Sequence, residues 1–283
     1  MHDPRDIEFL CDDGIKLRAH AYGNPDHPPV VLSHGGGQTR HSWGGTAQTL
    51  AQLGWYAICY DHRGHGESDW CNSGVYPTDR FAQDQINIAD ALGQAPVLIG
   101  ASLGGIAAMI AQGSHPQRQI FSAIVLVDIT PNMSRDGAME VLSFMRRDME
   151  EGFASLEDAA DAIARYTGRA RRKDLSGLRK NLRNQNGRWF WHWDPGFVKE
   201  RLGENNGPER LMQLCQNIEQ PLMLIRGRES NLVTEERARD FLQAVPHARY
   251  ADVANARHMV AGDRNDIFTQ AVTGFLKDLS LAA

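Results

Sequence analysis

The sequence predicts an α/β fold: a mostly parallel, eight-stranded sheet flanked by helices, with a helical segment inserted in the middle of the chain. Three observations predict it. Short β-branched, apolar runs alternate with longer helical patterns. From the third run onward most connections are long enough to carry a helix back across the sheet, as parallel pairing requires. One connection, of about ninety residues, is far longer than an ordinary loop and reads as an insertion.

The elements follow in order. IEFLCD and KLRAHAY form an opening antiparallel pair around the turn Asp12-Asp13-Gly14, and VVLSH, YAICYD, VLIGA, AIVLVD, PLMLIRG and ARYADV supply six more strands. Helical spacing is expected over 43–53, 79–92, 103–112, 235–245 and 266–279. Between Asp128 and Pro221 no convincing strand appears, and 131–210 is expected to be a mostly helical cap or lid on a core made of 1–130 and 211–283. GAMEVLSFM opens this segment with helical spacing, its middle is basic, and GRWFWHWDPGF closes it with clustered aromatics.

Composition bounds the function. With 42% hydrophobic and 23% charged residues in 283, a sizeable core can form and wholly disordered classes are excluded. A net charge of −5 argues against a nucleic-acid partner. Acidic residues near the start and the lack of any long apolar run predict a soluble, cytoplasmic protein with no membrane partner. Cys11, Cys59, Cys71 and Cys215 have neither metal-ligand nor framework spacing and are expected as reduced thiols. Self-association into a homo-oligomer is left open.

The strongest chemical signal is VLIGASLGG. A buried strand runs into Gly100-Ala101-Ser102-Leu103-Gly104, and a small-residue helix follows, which is the strand–turn–helix setting of a G-x-S-x-G nucleophile elbow. Glycines at the flanks let strand and helix approach closely around a strained serine. Upstream, VVLSHGGG offers backbone N–H groups to a developing oxyanion, so Gly36 and Leu103 are the expected donors and His34 a buttress for the loop. Where this elbow is catalytic the acid and then the histidine follow the serine, and His258, on the loop after the last strand, best fits the base. The other histidines lie on early loops, at a helix end or entering a strand. His62 and His65 lack further ligands at metal spacing.

Taken together, HGGG at 34–37, DHRGHGES at 61–68, GASLGG at 100–105, LIRGRES at 224–230 and RHMVAGD at 257–263 resemble the α/β-hydrolase superfamily, in its esterase, lactonase and cofactor-free perhydrolase group. The resemblance covers the chain outside the cap. It implies an α/β-hydrolase fold and a carboxylic ester or lactone as small-molecule substrate, cleaved through an acyl-enzyme on Ser102 with neither metal nor organic cofactor. Other reactions on the same site stay open: C–C bond hydrolysis, perhydrolysis or acyl transfer.

The resemblance breaks at one point, because the family's usual acid position after the seventh strand falls on Asn231. Three residues compete for the role. Asp128 ends the sixth strand, a second location used in the superfamily; Glu229 lies two residues before Asn231; and Asn231 could itself orient the ring. Asp128 is favoured, since a carboxylate closing an apolar strand is costly to bury without a partner. Asn231 also keeps a catalytically impaired, ligand-binding homologue in view. In the insert, Trp191 and Trp193 are expected to contact substrate. Nine Lys or Arg against Asp161 and Asp174 in 161–190 make that stretch basic, compatible with an anionic substrate or with a solvated helix face.

Overall fold

The computed structural model describes residues 3–171, 173–199, 207–263 and 265–282. β1 (Arg5–Leu10) and β2 (Lys16–Tyr22) pair antiparallel across the expected turn. β3 (Pro29–Ser33), β4 (Tyr56–Tyr60), β5 (Val97–Ala101) and β6 (Ala123–Val127) follow. A small hairpin, β7 (Leu182–Gln185) and β8 (Arg188–Trp191), stands apart from the sheet, which β9 (Leu222–Gly227) and β10 (Arg249–Val253) complete. The eight strands lie in the order β1-β2-β4-β3-β5-β6-β9-β10, and every neighbouring pair from β4 to β10 is parallel.

The central strands VVL, VLI, AIVLV and LMLI are buried on both faces, as a covered parallel sheet demands. Alternation along each strand sends Val31, Leu98, Ile124 and Leu224 to one core, and Val30, Ile99, Val125 and Ile225 to the other. The first core is closed by α2 (Thr78–Leu92), α3 (Leu103–Gly113) and, later in the chain, residues 208–245. The second is closed by α1 (Gly44–Gln52) and a C-terminal helix, where Phe268, Val272 and Phe275 meet Trp43 and Leu50. α3 is made of small residues because its neighbours are close: a Cβ on Gly104 would lie 2.5 Å from the Ser33 carbonyl oxygen.

Between β6 and β9 the chain forms α4 (Arg135–Arg146), α5 (Leu156–Thr167), two single-turn helices α6 (Ser176–Arg179) and α7 (Gly196–Lys199), and α8 (Pro208–Gln216). α9 (Glu235–Ala244), α10 (Val260–Asp263) and α11 (Asn265–Ala282) complete the chain. Ser134 and Ser155 cap α4 and α5 by accepting from Gly137 N and Asp158 N. Residues 200–206 of the expected insert lie outside the described residues.

The expectation of a mostly helical insert is corrected in its second half. Asn186 and Gly187 both take positive φ, 51° and 82°, which makes the two-residue turn of the β7–β8 hairpin. The basic run is therefore not one helix face: Arg165, Arg179, Arg183 and Arg188 fall on α5, α6, β7 and β8 in turn, Arg169, Arg171, Lys173 and Lys180 lie between these elements, and Arg172 lies outside the described residues.

A buried ion cluster ties the opening turn to the sheet. Arg63, almost fully buried, donates Nε to Asp84 and Nη1 to Asp13, each at 2.7 Å. Its hydrogen bonds hold the Asp13 carboxyl at about 2, below the ordinary 3.8. A carboxyl lowered in the folded state adds stability above its unfolded value and loses it as pH falls through the folded one. Asp13→Asn should thus lower Tm near neutrality, and the gap to the wild type should close as the pH drops from about 3.8 to about 2. Melting both proteins across that range checks it.

Candidate active site

β5 delivers Ser102 to the carboxyl edge of the sheet. The backbone there is forced, with φ 46° and ψ −111° at a residue that carries a Cβ. The turn is held from both sides: Ser102 N donates to Val127 O at 3.3 Å, and Ile106 N donates to Ser102 O at 2.9 Å. A Cβ on Gly100 would come within 2.6 Å of the Gly104 carbonyl, so the sharp crossing needs glycine there. Ser102 itself stays partly exposed while Leu103, Gly104 and Gly105 are buried.

The next strand in the sheet, β6, is followed directly by Asp128, which is fully buried and also has positive φ, 49°. Its carboxylate accepts three hydrogen bonds. Gly227 N reaches Oδ1 at 2.9 Å, Ser230 Oγ reaches Oδ2 at 2.6 Å, and His258 Nδ1 lies 2.9 Å from Oδ2. That contact puts the proton on His258 Nδ1 and leaves Nε2 as the basic nitrogen. Two backbone bonds fasten the loop after β9 to the loop bearing His258: Arg228 N to Val253 O and Glu229 N to Ala256 O, both 2.9 Å.

The competing acids stand elsewhere. Asn231 is exposed and donates Nδ2 to Glu140 on α4, while Glu229, also exposed, points an oxygen toward Arg257 Nε at 3.9 Å. Ser102 and His258 lie on loops at the same sheet edge, but among the described residues no hydrogen bond joins the serine hydroxyl to the imidazole. Catalytic hydrogen bonds of this kind commonly tighten only around substrate.

The glycine loop after β3 is held by side chains. Gly35 N donates to Gln38 Oε1 at 3.0 Å and Gly37 N to His65 Nε2 at 3.1 Å, whereas Gly36 N and Leu103 N have no acceptor among the described residues. Three buried histidines line the back of this loop. His34 accepts from His62 N at Nε2 (3.1 Å), so its Nδ1 donates to Gly35 O (2.8 Å), and burial keeps the ring below the usual imidazole range and neutral. His62 Nε2 in turn lies 2.9 Å from His34 O. A Cβ on Gly35 would be 3.3 Å from Ser102 Cβ, which sets the loop directly against the serine.

Residues of the insert reach the same loop. A Cβ on Gly37 would meet Met145 Cε at 2.9 Å and Trp193 Cζ3 at 3.4 Å, and one on Gly36 would meet Phe197 Cζ at 3.0 Å. Trp193 therefore abuts the candidate site. Trp191 stacks on Trp193 at 4.9 Å and packs edge-on against Phe144 and Phe153, which places it one layer away, in the insert's own core. Ser230, Gln38 and His65 are the residues sequence reasoning missed. The serine of LIRGRES was in view, but only folding shows that its hydroxyl turns back to Asp128.

A parallel sheet bearing a serine on a strand–helix elbow, with a histidine–carboxylate pair on neighbouring strand ends, defines a hydrolase-type α/β architecture. A family model described as alpha/beta hydrolase fold matches residues 28–193, more than half of the chain, and the chain belongs to that family. An esterase of Mycobacterium tuberculosis is 27% identical over 263 residues, spanning 88% of this chain and 83% of the relative. A 3-hydroxybutyrate-oligomer hydrolase of Cupriavidus necator is 24% identical over 267 residues, spanning 89% and 90%. A solved structure of the M. tuberculosis esterase superposes with a TM-score of 0.77 at 24% identity, covering 98% of this chain and 93% of that one, a likeness of fold. Among the described residues no helix is long and apolar enough to cross a membrane.

Proposed function

We propose that the protein is a serine hydrolase of carboxylic esters or lactones. The observation that carries this reading is the buried Asp128 carboxylate hydrogen-bonded to His258 Nδ1, on the same sheet edge as the strained Ser102. In this reading His258 Nε2 takes the hydroxyl proton as Ser102 Oγ attacks the carbonyl carbon. The N–H groups of Gly36 and Leu103 hold the oxyanion, and the proton passes to the leaving alkoxide as the C–O bond breaks. Water, activated by the same imidazole, then cleaves the acyl-enzyme, releasing the acid and restoring Ser102. The names of the relatives, an esterase and a 3-hydroxybutyrate-oligomer hydrolase, agree with ester cleavage.

The segment 131–210 acts in this reading as a cap, supported by Met145, Trp193 and Phe197 lying against Gly36 and Gly37. In this reading Asp128 takes the place of the carboxylate that Asn231 lacks, and its hydrogen bond to His258 favours an enzyme over a ligand-binding homologue. The test is an active-site titration. A fluorophosphonate should label one serine per chain, Ser102 by peptide mapping, and a p-nitrophenyl ester should give a burst of one equivalent at most. A chain that takes up no label and shows no turnover is not a serine hydrolase.

A further inference from the structure

We infer that His65 is a positioning residue for the oxyanion hole: by accepting the Gly37 N–H it leaves Gly36 as the loop's donor to substrate. The inference rests on the proposed reading of the site and deepens it. The loop Gly35-Gly36-Gly37 offers three N–H groups side by side, and a short glycine segment has many ways to point them. Two are removed by side-chain acceptors, Gln38 Oε1 for Gly35 and His65 Nε2 for Gly37. Gly37 also sits at φ +77°, a region glycine enters as readily as any other, so its own backbone preference does not fix where its N–H points.

His65 can play this part in a single form. Its Nε2 must be unprotonated to accept from Gly37 N, so Nδ1 must carry the proton, and Nδ1 lies 3.0 Å from the Arg63 carbonyl that accepts it. The ring is fully buried, edge-on to Phe197 at 4.5 Å and tilted against His34 at 5.4 Å, so it cannot turn away to solvent. A strand-like bridge pairs residue 65 with Trp193, which couples the backbone beneath the ring to the insert that abuts Gly37. The backbone of residues 63–65 is therefore placed by the Arg63 ion cluster on one side and by the insert on the other, and the imidazole transmits that placement to the loop.

The test compares two substitutions of similar bulk. His65→Gln can place an amide oxygen where Nε2 accepts; His65→Phe fills the space with no acceptor. We expect His65→Phe to lower kcat for p-nitrophenyl acetate by about 10²-fold with KM changed less than about threefold. It should weaken a trifluoromethyl ketone inhibitor, whose adduct carries the oxyanion, by a similar factor. His65→Gln should recover most of both. Melting curves and final fluorophosphonate stoichiometry report that each variant is folded with an intact serine. Equal kcat in the two variants overturns the proposal, as does a kcat loss without a matching loss of inhibitor affinity. Should His65→Phe not fold, His65→Gln alone decides: kcat and inhibitor affinity near wild type support the acceptor role, and a 10²-fold loss overturns it. If the wild type takes up no label and Ser102→Ala retains its esterase activity, the reading of the site fails and the inference with it; a labelled wild type with a fully active His65→Phe overturns the inference alone.

Discussion

Replacing Ser102 with alanine should lower kcat for ester hydrolysis by about 10⁶-fold, a loss of the size seen when a serine enzyme loses its nucleophile. The covalent route then closes, while Gly36 and Leu103 could still stabilise an oxyanion formed by direct attack of water, so a small residual rate above background is expected. Stability should move the other way in a second variant. The strain at φ 46°, ψ −111° is tied to having a Cβ. Alanine keeps that Cβ, whereas Ser102→Gly removes it and relieves strain of order 1–3 kcal/mol against a smaller entropic cost for the added freedom. Both variants should lose about 10⁶-fold in kcat, with Ser102→Gly melting above Ser102→Ala. Steady-state assays and calorimetry on the pair check it. Equal melting temperatures would mean that the elbow holds no strain for a site to use.

What could be read from the sequence depended on how local the physics was. The elbow was legible because its requirement is steric and short-range: Gly100 and Gly104 fall within two residues of Ser102, where Cβ atoms would collide with backbone. The central strands β3, β5, β6 and β9 were legible for a related reason, since strands buried on both faces are continuous apolar runs, whereas the outer β1 and β2 were announced by the Asp12-Asp13-Gly14 turn between them. The hairpin in the insert was missed although Asn186-Gly187 marks its turn, because LRNQ carries almost no apolar alternation to announce a strand. The acid was favoured at Asp128 on burial cost, but its two rivals could not be set aside from the sequence. Which strand end faces His258 is set by the sheet order β6-β9-β10, a long-range outcome that no spacing along the chain encodes. Backbone acceptors such as His65 and Gln38 escaped altogether, since nothing in a residue's type reveals which N–H it will meet.

That sheet order gives the acid a specific prediction: Asp128→Asn should reduce kcat by about 10⁴-fold without unfolding the protein. The cause lies in the donors around the carboxylate. Oδ1 faces the Gly227 N–H, a donor that cannot reverse, so an asparagine at 128 keeps its oxygen there and turns its NH2 toward Ser230 and His258. The opposite flip would set NH2 against a buried N–H and cost about 1–3 kcal/mol. Ser230 can adapt, because a hydroxyl accepts as readily as it donates. His258 cannot adapt without moving its proton: Nδ1 must now accept, the proton shifts to Nε2, and the nitrogen that should take the Ser102 proton is blocked. Asn231→Asp and Glu229→Gln, by contrast, alter exposed side chains bonded to Glu140 and Arg257, and should change kcat less than about twofold. The expected signature is a collapse in kcat for Asp128→Asn with nearly wild-type Tm, set against two silent neighbours. An active Asp128→Asn enzyme, or one rescued by Asn231→Asp, would return the acid to the loop after β9.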